Sequence, residues 1–212
     1  MRDIEYFYSA HSVFAYIGSA RLMEIAAAAG RRLVHRPVFL DAVVAAAYPG
    51  GFSGRSRAHR DYYFGREIER WAEFRNVAIK AGIPRCHFND MTLANSMVIA
   101  AAMEGGNADQ LAHSLLEAHW RDHADLADEA TLAGVAGKAG LNSETLFGVA
   151  RGPEAKAAYE ANTAEAIERS VFGSPAYFVD GDMFYGQDRL ELVERALQKP
   201  FARTWPSLAD RR

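Results

Sequence analysis

Residues 4–14 read Ile4-Glu5-Tyr6-Phe7-Tyr8-Ser9-Ala10-His11-Ser12-Val13-Phe14. The stretch from Ile4 to Tyr8 is aromatic and apolar, as a short strand requires. Beyond Ser12 the apolar residues fall at Val13, Phe14, Ile17, Leu22 and Ile25, which predicts a helix to about residue 29. Gly30 stands where such a helix ends in a left-handed turn, and a second strand is expected over 33–39. A helical crossover of this length joins parallel strands, so the chain opens as a βαβ unit. Its first strand-to-helix junction carries two hydroxyls, Ser9 and Ser12.

Outward from that unit the pattern weakens over 41–54, where Pro49-Gly50-Gly51 and Ser53-Gly54 mark a loop followed by Arg55, Arg57 and Arg60. Helices are then expected near 60–81, 91–104, 108–121, 129–139, 143–150 and 153–170, with Asn107, Asp128 and Ser143 as N-caps. Strand character returns over 176–179 and 183–185 around the turn Asp180-Gly181-Asp182, and a last helix is expected over 188–198. The tail 199–212 holds two prolines and ends in charges, so it is expected to lie on the surface. The order βαβ, helical block, ββα describes an α/β protein: a thioredoxin-like domain interrupted by a large all-helical insertion. Its expected division is 1–59 and 171–212 for the thioredoxin-like domain and 60–170 for the inserted helices.

In that fold the strand-to-helix junction is where a Cys-x-x-Cys pair performs redox chemistry. Here Ser9 and Ser12 occupy the two sulfur positions, and the one cysteine of the 212 residues, Cys86, lies far away. One thiol cannot form an intramolecular disulfide. A thiol that takes part must arrive on a ligand, and glutathione is the natural candidate. A ligand thiolate beside Ser9 would be stabilised by the positive end of the helix dipole and by a hydrogen bond from the hydroxyl. The alternative is that Ser9 or Ser12 simply caps the helix. Phe172-Gly173-Ser174-Pro175 precedes a hydrophobic strand, and a cis bond before Pro175 would turn the Ser174 backbone toward a peptide-like ligand. Asp188, in Tyr185-Gly186-Gln187-Asp188, is either a first-turn acid or a partner for a ligand ammonium group.

Taken together, Tyr6-Phe7-Tyr8-Ser9-x-x-Ser12, Val171-Phe172-Gly173-Ser174-Pro175 and Phe184-Tyr185-Gly186-Gln187-Asp188-Arg189-Leu190 resemble the 2-hydroxychromene-2-carboxylate isomerase family, relatives of the kappa-class glutathione transferases. The resemblance covers residues 3–198 roughly, including Arg70-Trp71 and Trp120. It implies a glutathione-dependent isomerase of aromatic degradation, with Ser9 activating the cofactor sulfur. Ser174 beside Pro175 would bind the cysteinyl backbone, and Gly186, Gln187 and Asp188 would hold the γ-glutamyl end. Arg55 is the loosely aligned candidate for the glycine carboxylate or the substrate. A homodimer and a small aromatic substrate are also implied. The rival readings are a kappa-type transferase or peroxidase and a non-catalytic thiol-ligand binding protein.

One departure is visible: the family carries proline after its serine, and this chain has Ala10 followed by His11. Alanine restores a backbone donor that proline lacks. His11 is either a substrate contact or proton carrier near neutral pH, or an exposed or capping first-turn residue. His119 and His123 have the spacing of helical metal ligands, but a solvated helix end explains them better. Cys86 lies between Arg85 and His87, whose positive charge would lower its pKa, although a partly buried loop thiol is the simpler reading. Tyr62, Tyr63, Phe64, Trp71 and Phe74 read as helix core with one face available to a substrate pocket. The formal charge of −3 provides no field for nucleic acid or an anionic membrane. The first residues have no leader pattern, no apolar run spans a bilayer, and a cytoplasmic protein without a metal is expected.

Overall fold

The computed structural model describes residues 3–202. From residue 203 onward the expected surface tail therefore lies outside the described residues. The sheet has four strands in the order β2-β1-β3-β4, formed by β1 (Ile4–Tyr8), β2 (Leu33–Pro37), β3 (Ala176–Val179) and β4 (Asp182–Tyr185). β1 runs parallel to β2 and antiparallel to β3, and β3 pairs with β4 through a hairpin. Asp180 and Gly181 both have positive φ, 51° and 91°, as the tight two-residue hairpin turn demands.

Alternation along β1 sorts its side chains between two cores. Ile4, Tyr6 and Tyr8 join the larger cluster with α1 (Val13–Ala28), whereas Phe7 packs on the other face with Val38, Val43, Ala166 and Phe178. Both faces of β1 and β3 are thus covered, which is why β3 is buried at every position. Gly30 ends α1 at φ 61°, as expected, with the following Arg31 N–H bonded back to the Ala26 carbonyl.

The helical block contains α3 (Arg57–Asp61), α4 (Glu67–Arg75), α5 (Thr92–Met103), α6 (Ala108–Asp122), α7 (Glu129–Lys138), α8 (Ser143–Ala150) and α9 (Pro153–Glu168). α5 is its axis: Ala94 to Ala101 are all buried, and the helix packs on α6, α8, α9 and strand β2. An all-round apolar helix belongs in an interior. α10 (Leu190–Gln198) is the last helix among the described residues and follows a 3₁₀ turn at Gln187–Arg189. Among the described residues no helix is long and apolar enough to cross a membrane.

Three sequence expectations are corrected. The weak stretch after residue 39 contains a helix, α2 (Leu40–Ala47), whose buried side chains Leu40, Val43 and Val44 are too few to print a long periodicity. The single helix expected over 60–81 is broken: α3 passes through one π turn at Tyr62–Arg66 into α4, which stops at Asn76 in the left-handed region, φ 53°. Beyond it the chain is drawn out, with Lys80 N–H bonded to the Trp120 carbonyl and the Tyr16 hydroxyl to the Ala78 carbonyl. The cap of α8 is Asn142, whose side chain accepts the Thr145 N–H, one residue before the expected Ser143.

Candidate active site

β1 ends by delivering Ser9 to the N-terminus of α1. The Ser12 N–H turns back to the Ser9 carbonyl at 2.9 Å, and the Ser12 side chain caps α1 by accepting the Ala15 N–H at 3.3 Å. The capping role therefore falls to Ser12, leaving the Ser9 hydroxyl for other partners. Ser12 also donates its hydroxyl to the Ser174 carbonyl at 3.3 Å, and the Ser9 N–H donates to Ser174 Oγ at 3.4 Å. Ser9 and Ser174, 165 positions apart, thus meet across the sheet. The Ser174–Pro175 peptide is cis, and the Pro175 carbonyl accepts the Gly186 N–H at 2.9 Å.

That last bond ties the proline loop to the turn before α10. Gly186 has φ 96°, and a Cβ there would run into the Asp188 carboxylate, so the position requires glycine. A cleft beside this turn is lined by Phe14, Tyr63, Glu67, Trp71, Ser174, Tyr185, Gly186, Gln187 and Asp188. The expected residues Ser174, Gly186, Gln187 and Asp188 are thereby brought together. Gln187 is buried, however, and its side chain accepts from Arg75 at 3.3 Å, so it braces the turn. Asp188 pairs with Arg189. Arg55 lies outside the cleft lining, with its guanidinium 5.1 Å from the Phe64 ring centre, yet its charge reaches both Tyr63 and Tyr185. Burial raises the pKa of both phenols above the ordinary tyrosine value, so they remain protonated donors. Of the expected aromatic group, Tyr63 and Trp71 line the cleft, while Tyr62 and Phe74 are exposed and do not belong to a core.

On the opposite side of Ser9, the part played by Asn95 was not read from the sequence. Asn95 on α5 accepts the Ala10 N–H at its Oδ1 (2.9 Å) and places Nδ2 3.2 Å from both Ser9 Oγ and the Tyr159 hydroxyl. The donor that alanine restores at position 10 is therefore used. The one available signal was an asparagine inside the otherwise apolar run Thr92-Leu93-Ala94-Asn95-Ser96-Met97-Val98. His11 Nδ1 lies 3.0 Å from Ser9 Oγ, and its carbonyl accepts the Trp120 indole N–H at 2.8 Å. Its ring stands edge-on to His87, 5.0 Å between centres, and His87 Nδ1 lies 3.0 Å from His119 Nε2.

These histidines correct two expectations. Burial, reinforced by His87 and His119, pushes the His11 pKa down to about 3, so His11 is neither exposed nor a carrier of protons near neutral pH. His119 is fully buried between His87 and the Ala124 carbonyl, not at a solvated helix end. Cys86 is the partly buried loop thiol of the simpler reading: burial and Asp125 raise its pKa, and the thiol donates to the Ala124 carbonyl at 3.3 Å. Among the described residues no group of histidine, cysteine and carboxylate side chains is arranged to hold a metal.

Known proteins place this architecture. A 2-hydroxychromene-2-carboxylate isomerase of Sphingobium xenophagum is 27% identical over 199 residues, spanning 92% of this chain and 98% of that protein. The solved structure of a 2-hydroxychromene-2-carboxylate isomerase superposes with a TM-score of 0.77 at 24% identity, covering 92% of this chain and 94% of the other. The cytosolic disulfide reductase DsbM from Pseudomonas aeruginosa, solved with GSH, superposes with a TM-score of 0.63 at 15% identity, covering 93% of each chain. The family model for the DSBA-like thioredoxin domain matches residues 3–198, nearly the whole chain, and this chain belongs to that family.

Proposed function

We propose that this protein is a glutathione-dependent isomerase acting on a small aromatic-derived substrate of the 2-hydroxychromene-2-carboxylate type. The observation that carries the reading is the meeting of Ser9 with Ser174 at the cis-Pro175 loop, beside a cleft formed by Tyr185, Gly186 and Asp188. The isomerase names of the relatives and the glutathione of the DsbM structure support it. The residues suit a γ-glutamyl peptide, because the carboxylates of Glu67, paired with Arg70, and Asp188, paired with Arg189, line the cleft where an ammonium group would sit. When bound, glutathione supplies a thiol that adds reversibly to a conjugated double bond, permitting rotation before it is released unchanged.

In this reading Ser9 does not attack. Its hydroxyl donates to the sulfur, and the α1 N-terminus favours the anionic form. Ser174 grips the cysteinyl backbone in the manner of an added strand, and Asp188 holds the γ-glutamyl ammonium. Gly186 and Gln187 shape that end, Gln187 through its bond to Arg75. Phe14, Tyr63, Trp71 and Tyr185 form an aromatic wall for the substrate, with Arg55 offering positive charge to its carboxylate or to the glycine end.

The test is a thiolate-absorbance titration of bound glutathione. Wild type should show a thiol pKa below that of the free peptide, and Ser9→Ala should still bind glutathione while losing about tenfold or more of the thiolate at neutral pH. Failure of wild type to bind glutathione would sink the proposal. Net consumption of glutathione with each turnover would favour a transferase.

A further inference from the structure

The hydrogen bonds around Ser9 specify more than its location. A serine hydroxyl has two acceptor lone pairs and one proton. Asn95 has its amide orientation set by Ala10, because a backbone N–H cannot accept and must face Oδ1. Nδ2 therefore donates to Ser9 Oγ and fills one lone pair. His11 Nδ1, at 3.0 Å, is the remaining close partner of the hydroxyl. As a bare nitrogen it would consume the Ser9 proton; as an N–H it would fill the second lone pair and leave the proton unspent.

The surroundings keep His11 neutral while holding its ring in place. His87 stands edge-on beside it, and Trp120 fixes its backbone through the indole N–H. The histidine pair behind it has its own proton order: the Ala124 carbonyl takes the His119 Nδ1–H, so His119 Nε2 accepts and His87 Nδ1 donates. Neither His87 nor His119 thus needs a positive charge, and partial burial and repulsion within the trio oppose one. We infer that Asn95 and His11 are positioning residues that both donate to Ser9 Oγ, reserving its single proton for the sulfur of a thiol ligand. The inference rests on the glutathione reading above and concerns only how Ser9 is prepared for it. Ala10 belongs to the same device, since its N–H is what orients Asn95.

The experiment measures two quantities: the pKa of the bound glutathione thiol from its thiolate absorbance, and the glutathione dissociation constant at a pH where the sulfur is protonated. In His11→Leu the donor is lost, and the thiol pKa should rise by about one unit, a tenfold loss of thiolate below both pKa values. The low-pH dissociation constant should stay within about twofold, because the protonated sulfur draws little from Ser9. His11→Asn, whose amide N–H reaches the place of Nδ1–H, should restore the wild-type value. Asn95→Asp keeps the acceptor for Ala10 but turns the donor toward Ser9 into an acceptor, and should raise the thiol pKa further. It supplies the same test should the leucine variant fold poorly. In a Ser9→Ala background the His11→Leu shift should vanish. An unchanged or lowered thiol pKa in His11→Leu with glutathione still bound would overturn the inference and leave the proposed function standing. Absence of glutathione binding by wild type would remove both.

Discussion

The two sides of Ser9 are built on different principles. On the sheet side Ser174 and Pro175 are adjacent, Gly186 follows one hairpin later, and backbone geometry arranges them: a cis peptide, a positive φ and the Pro175 to Gly186 bond. On the helical side Asn95, His11, His87 and Trp120 come from four separated segments, and side-chain hydrogen bonds together with the His11–His87 ring contact assemble them. A backbone site is written in glycines and prolines. A side-chain site is written in residues whose significance depends on what they meet.

The comparison can be broken most directly at Asn95. If the helical side holds the junction, Asn95→Leu leaves the buried Ala10 N–H without an acceptor and removes a donor from both Ser9 and Tyr159. A cost of about 3 kcal/mol is expected, read as a lower denaturation midpoint at unchanged urea slope. A loss below about 0.5 kcal/mol would mean that α5 merely packs beside the junction.

The matching change on the sheet side is Gly186→Ala. Its φ of 96° disfavours any Cβ, and the added methyl must displace the Asp188 carboxylate. About 2 kcal/mol is expected, and calorimetry should place the loss alongside weaker glutathione binding. Undiminished binding would separate this turn from the ligand site.

How much could be read in advance follows the same division. Ser9, Ser174, Pro175, Gly186 and Asp188 were singled out by the resemblance of three segments taken together, since each alone read equally as a cap or an ordinary turn; the structure brings Ser9 to Ser174 and ties Pro175 to Gly186. The fold itself was legible, since β1, α1 and the β3–β4 hairpin each carry complete periodic or turn signals. Asn95 was not, because an amide in an apolar helix has no distinguishing neighbour until Ala10 arrives from 85 positions away. The break at Asn76 was hidden too: Val77 to Lys80 is drawn out by contacts with Tyr16 and Trp120, which lie elsewhere in the chain. His119 misled in the other direction, as a polar residue near a helix end that tertiary packing buries completely.

Acid sharpens the contrast, because the low-pKa histidines all lie on the helical side. In the native protein His11 and His87 stay neutral down to about 3 and about 4, whereas the ordinary value is 6.5. Between pH 6.5 and 4 the unfolded chain therefore binds protons that the native state refuses. Their contribution to stability is present above 6.5 and is lost as the pH falls through that window. The two rings lie close enough to titrate as a pair, and His87 is partly exposed, so a combined loss on the order of 1–2 kcal/mol is expected. Denaturation midpoints measured at steps from pH 7 to 4 should fall in wild type and fall less steeply in His87→Asn. Equal slopes in the two proteins would mean that the histidine array is solvated, and the distinction between the two sides of Ser9 would then be one of architecture alone.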